Sequence, residues 1–261
     1  MKPTPMFLRS TAAVAAVAAV ALAAAACWPD RNVGPFAPAG PTGQVRLVNL
    51  VTDPARVPLD ALLDNVPFGV SLGYTHATPA ALPSSSAAGY AAVLAGNRSL
   101  VLKRSSDTSV TLGAFTLIVP EAQHRTVYLL GGTRGGVVTT YVTTDDNQAP
   151  AAGEARLRIA NMSPSGGTLD VFVTAPGAEL SAATAAVQTM SFRDVSYYLT
   201  LPVATYQLRF VPSGTPPAGR AGAVRLDLPS VAPGSGAGLT VVAADRPDGG
   251  VPLQGFVLKD R

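Results

Sequence analysis

From position 43 onward the chain is a succession of short runs of Val, Leu, Thr, Ile, Phe and Tyr separated by Gly, Pro, Ser and Asp. Such punctuation predicts strands and turns. The runs lie near 45–51, 57–63, 89–94, 99–103, 109–119, 126–130 and 137–143, then near 155–161, 169–174, 195–201, 206–211, 223–228, 239–243 and 253–258. Helical periodicity is nearly absent, and the Ala-rich stretch 178–187 is read as a loop or a single helical turn between strands. Roughly seven strands in about 100 residues is the pattern of an immunoglobulin-like antiparallel β-sandwich. The pattern occurs twice, which predicts an all-β chain of two tandem sandwiches.

The repeat is visible in residues as well as in pattern. "RLVNLVTDPARVPLDALL" from Arg46 aligns without a gap on "RLRIANMSPSGGTLDVFV" from Arg156, sharing Arg-Leu, a central Pro and Leu-Asp. "GGVVTTYVTTDD" from Gly135 matches "GGVPLQGFVLKD" from Gly249 with a one-residue slip. These copies give sandwiches over 43–146 and 153–261, joined by the linker 147–152, "NQAPAA". In both copies Arg and Asp stand fourteen positions apart, Arg46 with Asp60 and Arg156 with Asp170. Alternation places them on an outward or rim face, where they meet if the first two strands pair. Their expected role is to fix register rather than to do chemistry.

The chain starts differently. Lys2 and Arg9 precede the apolar run Thr11 to Ala26, directly before Cys27, which reads as a secretory signal over 1–26. The run is shorter than the roughly 20 residues a membrane span needs, and Ala is weakly hydrophobic. Ala24, Ala25 and Ala26 ahead of the single Cys resemble a bacterial lipobox, with Ala24 where lipoboxes usually have Leu. Cys27 is then the lipidated first residue of the mature chain, carrying acyl chains such as palmitate. The same three alanines also suit an ordinary A-x-A cleavage, which leaves a free thiol. Residues 27–42 carry four Pro and no period, and read as a tether. Trp28 after the Cys, rather than Asp, resembles lipoproteins sorted to the outer membrane where a cell has two.

Removing the signal changes the charge balance. Of 19 Lys and Arg, Lys2 and Arg9 leave, so 17 basic residues face 16 acidic ones. There is no basic run, which excludes nucleic acid as a partner. With one Cys the folded part has no disulfide, and stability must come from apolar burial.

Candidate chemistry is sparse. Two histidines, His76 and His124, are the only imidazole bases, and both read as solvated loop residues. "GSGAG" at Gly234 to Gly238 lacks Ser at the centre of G-x-S-x-G and reads as a turn into a strand. "GGTRGG" at Gly131 to Gly136 reads as a hairpin tip carrying Arg134. Two distant histidines give no zinc spacing. Asp145, Asp146 and Asn147 at the junction are a calcium candidate, though they fill fewer than the six to eight oxygen positions calcium takes. Asn97-Arg98-Ser99 fits a glycosylation sequon and reads here as a turn. No cofactor is called for.

"ARLRIANMSPSGGTLDVFV", then "YYLTLPVATYQLRF" from Tyr197 and "GLTVVAADRPDGG" from Gly238, resemble the bacterial extracytoplasmic domain-of-unknown-function family DUF4397. Its members occur in tandem on secreted proteins and lipoproteins. The resemblance implies an all-β fold and an envelope location, and it carries no catalytic residues to transfer. It covers the second copy throughout. The first departs from it in the long connection 70–89 and in Thr52-Asp53-Pro54, where the second has Met162-Ser163-Pro164.

Two function classes follow. One is a non-catalytic envelope lipoprotein, held on the membrane through Cys27, presenting two sandwiches to an envelope protein or polysaccharide. The alternative is a loop-based small-ligand-binding protein or hydrolase secreted to the envelope.

Overall fold

The computed structural model describes residues 40–53, 57–79, 89–131 and 136–261. The signal, Cys27, most of the tether and Arg134 lie outside these residues. The chain from 40 to 261 forms one compact unit built from two sandwiches.

The N-terminal sandwich contains β1 (Thr42–Val51), β2 (Leu59–Leu63), β3 (Val66–Leu72), β4 (Ala77–Thr78), β5 (Ala91–Leu94), β6 (Gly96–Arg104), β7 (Asp107–Val119), β8 (His124–Gly131) and β9 (Val138–Asp145). One sheet runs β4-β1-β8-β9 with β5 also on β1, and the other runs β3-β2-β6-β7. The C-terminal sandwich contains β10 (Glu154–Asn161), β11 (Leu169–Thr174), β12 (Val187–Met190), β13 (Leu199–Pro202), β14 (Tyr206–Pro212), β15 (Leu226–Val231), β16 (Gly238–Ala244) and β17 (Gln254–Lys259). Its sheets run β13-β10-β16-β17 and β12-β11-β14-β15, the same order with β13 in the place of β5 and a single bridge from Ala160 to Val195 in the place of β4. Each sandwich has its own apolar core, one around Leu47, Leu59 and Leu100, the other around Ile159, Val171 and Phe210.

The all-β sandwich expectation holds, but this is not the immunoglobulin strand order, in which the first two strands are neighbours in one sheet. Here β1 pairs in parallel with β8, and β10 with β16, while β2 and β11 lie in the opposite sheets. Arg46 and Asp60 therefore do not meet across paired strands. The two central strands carry near-continuous apolar runs because both their faces are covered. Val45 and Leu47 belong to the core of their own sandwich, whereas Val48 and Leu50 join a third cluster with Tyr128, Leu130, Ala160, Met162 and Val242. That third cluster is the contact between the sandwiches.

Three strands escaped the sequence pattern. β3, β4 and β12 are edge strands, and the end of β3 and all of β4 fall in the stretch 70–89 read as a connection. β2 and β3 form a hairpin whose two turn residues, Asp64 and Asn65, both have positive φ, 49° and 65°, as the tight two-residue turn demands. Asn97 to Ser99 lies inside β6 rather than in a turn. The Ala-rich 178–187 stretch is a loop that leads into β12, with Leu180 and Ala183 packed over Phe172. Arg220 fastens it by donating to the carbonyls of Leu180 and Ala183, 3.1 and 2.8 Å.

The gapless alignment of the two copies is right for β2 and β11 but slips on the first strands. Asn49 donates to the carbonyls of Leu72 and Gly73, and Asn161 to those of Met190 and Gly167. Each Asn also accepts from the backbone N–H two residues on. Counting back three from each Asn makes Arg158, not Arg156, the counterpart of Arg46. The connection to the second strand is two residues longer in the first copy, and a shift of two leaves a strand's faces unchanged. Asp60 and Asp170 remain equivalent. Each accepts from a backbone N–H on the neighbouring edge strand, Ser71 or Thr189, and from a hydroxyl, Ser105 or Ser213. Ser71 and Thr189 both have positive φ, 50° and 57°. The carboxylate thus anchors a bent edge strand. Replacing Asp170 with Ala should lower stability by about 1–3 kcal/mol, the cost of orphaning those donors, without changing secondary structure. Thermal melts of the full chain followed by circular dichroism check this, and an unchanged midpoint contradicts it.

Candidate functional site

Alternation along β1 sends Arg46 away from its own core, as the sequence implies, but the face it enters is not solvent. Arg46 is 2% exposed. Its Nη2 meets Asp260 Oδ1 at 2.7 Å, and its Nη1 donates to the Lys259 carbonyl at 2.9 Å, both on the other sandwich. Within its own sheet Arg46 donates to Thr126 Oγ1 at 2.8 Å. Arg158 does the same in reverse. Its Nη2 meets Asp145 Oδ1 at 2.6 Å, its Nη1 the Thr144 carbonyl at 3.0 Å, and its Nε the Thr240 hydroxyl at 3.0 Å. The threonines close the ring: Thr240 donates to Asp260 at 2.6 Å and Thr126 to Asp145.

Two tyrosines complete the pattern. Tyr90 and Tyr198 precede the equivalent strands β5 and β13; Tyr90 donates to Asp145 and Tyr198 to Asp260, each at 2.8 Å. The guanidinium of Arg46 lies 4.5 Å over the Tyr90 ring, and that of Arg158 lies 4.8 Å over Tyr198. The contact is therefore isologous: residue i of one sandwich meets residue j of the other, and j meets i. Two arginines and two aspartates cancel in charge, and each ion has several hydrogen-bond partners, as burial requires.

Burial disfavours ionisation of the phenols and pushes Tyr90, Tyr198, Tyr128 and Tyr74 above the ordinary tyrosine range. Burial also opposes the charge on Arg158 and is the largest single influence, but Asp145, Tyr198, Tyr128 and Asp260 together outweigh it and the guanidinium is held above its ordinary value. The shell outside is weaker. Arg156 meets Asp146 at 2.8 Å and holds that carboxyl below its usual value by hydrogen bonding. Asp146 is half exposed, and such a pair contributes about 0–1 kcal/mol.

The calcium reading of Asp145, Asp146 and Asn147 is corrected by this arrangement. Asp145 points inward to Arg158, Thr126, Thr143 and Tyr90, and Asp146 turns to Arg156. Among the described residues no three His, Cys, Asp or Glu gather as a ligand set. His124 is the first residue of β8 rather than a turn residue, and its ring packs edge-on against Tyr90 at 5.0 Å. His76 follows the tight turn after β3, and its carbonyl accepts from Asn49 N–H. Gly234 to Gly238 is a turn entering β16, with Ser235 accepting from Gly153 N–H. Buried Ser163 donates to Asp245 and accepts from Gly166 N–H, which fastens the loop between β10 and β11.

Concave surfaces flank the network. A small cavity of about 160 Å³ lies between the sandwiches, walled by Leu50, Leu130, Met162 and Phe192, with Arg193 and Asp245 beside it. Two open grooves of about 610 Å³ each lie on equivalent sides of the contact, one beside β17 and one beside β9. Sequence reasoning singled out Arg46 and Asp145 but missed Arg158, Asp260, Thr126, Thr240 and the two tyrosines. The signal that finds them is "RLVN" against "RIAN", together with the slip that sets Asp145 against Asp260.

Removing one partner of a buried pair leaves an uncompensated charge, so Arg46→Met should cost about 3–5 kcal/mol. Asp260→Asn should cost less when Arg46 is already Met. Denaturant melts of the two single variants and the double variant measure this coupling, and strict additivity contradicts the pairing.

Residues 43–172 match the model of a domain of unknown function, DUF4397, and the chain belongs to that family. The match covers the first copy and the first strands of the second, ending within β11. No curated protein matches the chain.

Proposed function

We propose that this family member is a non-catalytic lipoprotein of the cell envelope, anchored through acylated Cys27 and presenting its paired sandwiches as a fixed platform for binding. The outer membrane is its location where the cell has two. The observation that carries the non-catalytic reading is the saturation of the buried charges. Arg46, Arg158, Asp145 and Asp260 are all buried in the contact, and each faces partners from its own chain. Groups arranged that way hold structure and have little freedom to exchange protons with a substrate. No His stands in the network, and the two tyrosines that do are held protonated by burial.

Export and anchoring are supported by the basic residues Lys2 and Arg9, the apolar run to Ala26 and the position of Cys27 after three alanines. Two or more acyl chains retain a protein stably where one binds marginally. A tether with four Pro gives the platform reach from the bilayer. Cys27→Ser should release the protein from the membrane fraction or block its processing. Mass spectrometry of the mature N-terminus checks the wild-type chain, where an unmodified Cys27 defeats the anchor.

A further inference from the structure

We propose that the groove beside β9, continued over Tyr197, is a binding site for an extended, uncharged oligosaccharide. The inference deepens the reading of the body as a binding platform and does not depend on the anchor.

The repeat supplies an internal control. Whatever the fold requires of one groove it requires of the other, so Arg46 and Arg158, or Tyr90 and Tyr198, are shared. Residues that differ between equivalent positions are not required by the shared fold. In the groove beside β17 those positions carry Gly89, Phe256 and Leu258, whereas beside β9 they carry Tyr197, Tyr141 and Thr143. Arg156 and Asp146, a facing ion pair, stand where the first copy and the C-terminus have Gln44 and Arg261. Among the described residues one groove thus presents Phe256 and Leu258 beside Ser71, Thr75 and His76, and its twin presents three tyrosines, Tyr141, Tyr197 and Tyr198, with Thr143, Thr144 and Ser196.

An isolated exposed aromatic needs no explanation by itself. Tyr197 is 94% exposed, and its position is what matters. It lies on the ridge between the 610 Å³ groove and a second cleft of about 430 Å³ along β12, and lines both together with Val195 and Ser196. Each volume is in the range of small-ligand sites, about 300–1,000 Å³. Two such hollows across one ring suit a ligand of several linked units.

The groove's charges point to a neutral ligand. Arg156 is paired with Asp146, and Arg158 with Asp145, so neither guanidinium is left to select an anion. A pyranose fits these groups: its apolar C–H face stacks on a tyrosine ring, and vicinal hydroxyls bridge a guanidinium and a carboxylate. An extended peptide added to a sheet edge fits less well, because it needs unpaired backbone groups along that edge. Here the Thr144 carbonyl accepts from Arg158, Thr189 N–H donates to Asp170, and Ser191 N–H donates to Asp194.

Calorimetric titration of the purified full chain with cellopentaose and with chitopentaose tests the site. Saturable binding of at least one is expected, weakened about tenfold by Tyr197→Ala at an unchanged melting temperature. Arg156→Gln should weaken it as well. No saturable binding of either saccharide, or full affinity in Tyr197→Ala, overturns the proposal, as does Tyr197-dependent binding of a casein peptide in their place. New reducing ends in a Tyr197-dependent complex uphold the site but defeat the non-catalytic reading.

Discussion

The orientation of one half of this chain on the other depends on two charge pairs exchanged between them. Arg46 reaches across to Asp260, and Arg158 reaches back to Asp145. A buried ion pair is weak evidence for net stability, because desolvation offsets much of the attraction, but its geometry is exacting. The guanidiniums must reach a carboxylate, a carbonyl and a hydroxyl at once, and only one docking of the sandwiches satisfies all of them. Apolar contact through Val48, Leu50, Tyr128 and Met162 supplies the driving force, and the charges select the orientation.

The repeat makes this economical. An isologous contact uses one surface twice, so a single solution for the outward face of β1 and β8 serves equally for β10 and β16. The remaining positions around the contact are then free to diverge. The two grooves bear this out, since each keeps an arginine of the network yet they differ at Tyr197 and Gly89, and at Tyr141 and Phe256.

The sandwich class was legible in the chain because period-two runs and Gly/Pro punctuation are local signals. The edge strands β3, β4 and β12 were not: Pro67 and Gly69 interrupt β3, and β4 and β12 are only two and four residues long. The contact was half legible. "VRLVNLV" and "TVYLLG" do not alternate, and an unbroken apolar run on an antiparallel sandwich means a second covered face. An arginine inside such a run calls for a buried acid. The identity of that acid was hidden, since Asp260 lies 214 positions from Arg46. The gapless alignment concealed the symmetry further, because two extra residues before β2 set Arg46 against Arg156, a partly buried arginine on the same face.

The central claim is that the charge exchange makes two sandwiches behave as one body. Differential scanning calorimetry of the full chain addresses it most directly. A single unfolding transition, with calorimetric and van't Hoff enthalpies in a ratio of about one, is the expected result. Two resolved transitions, each with the enthalpy of one sandwich, would contradict it.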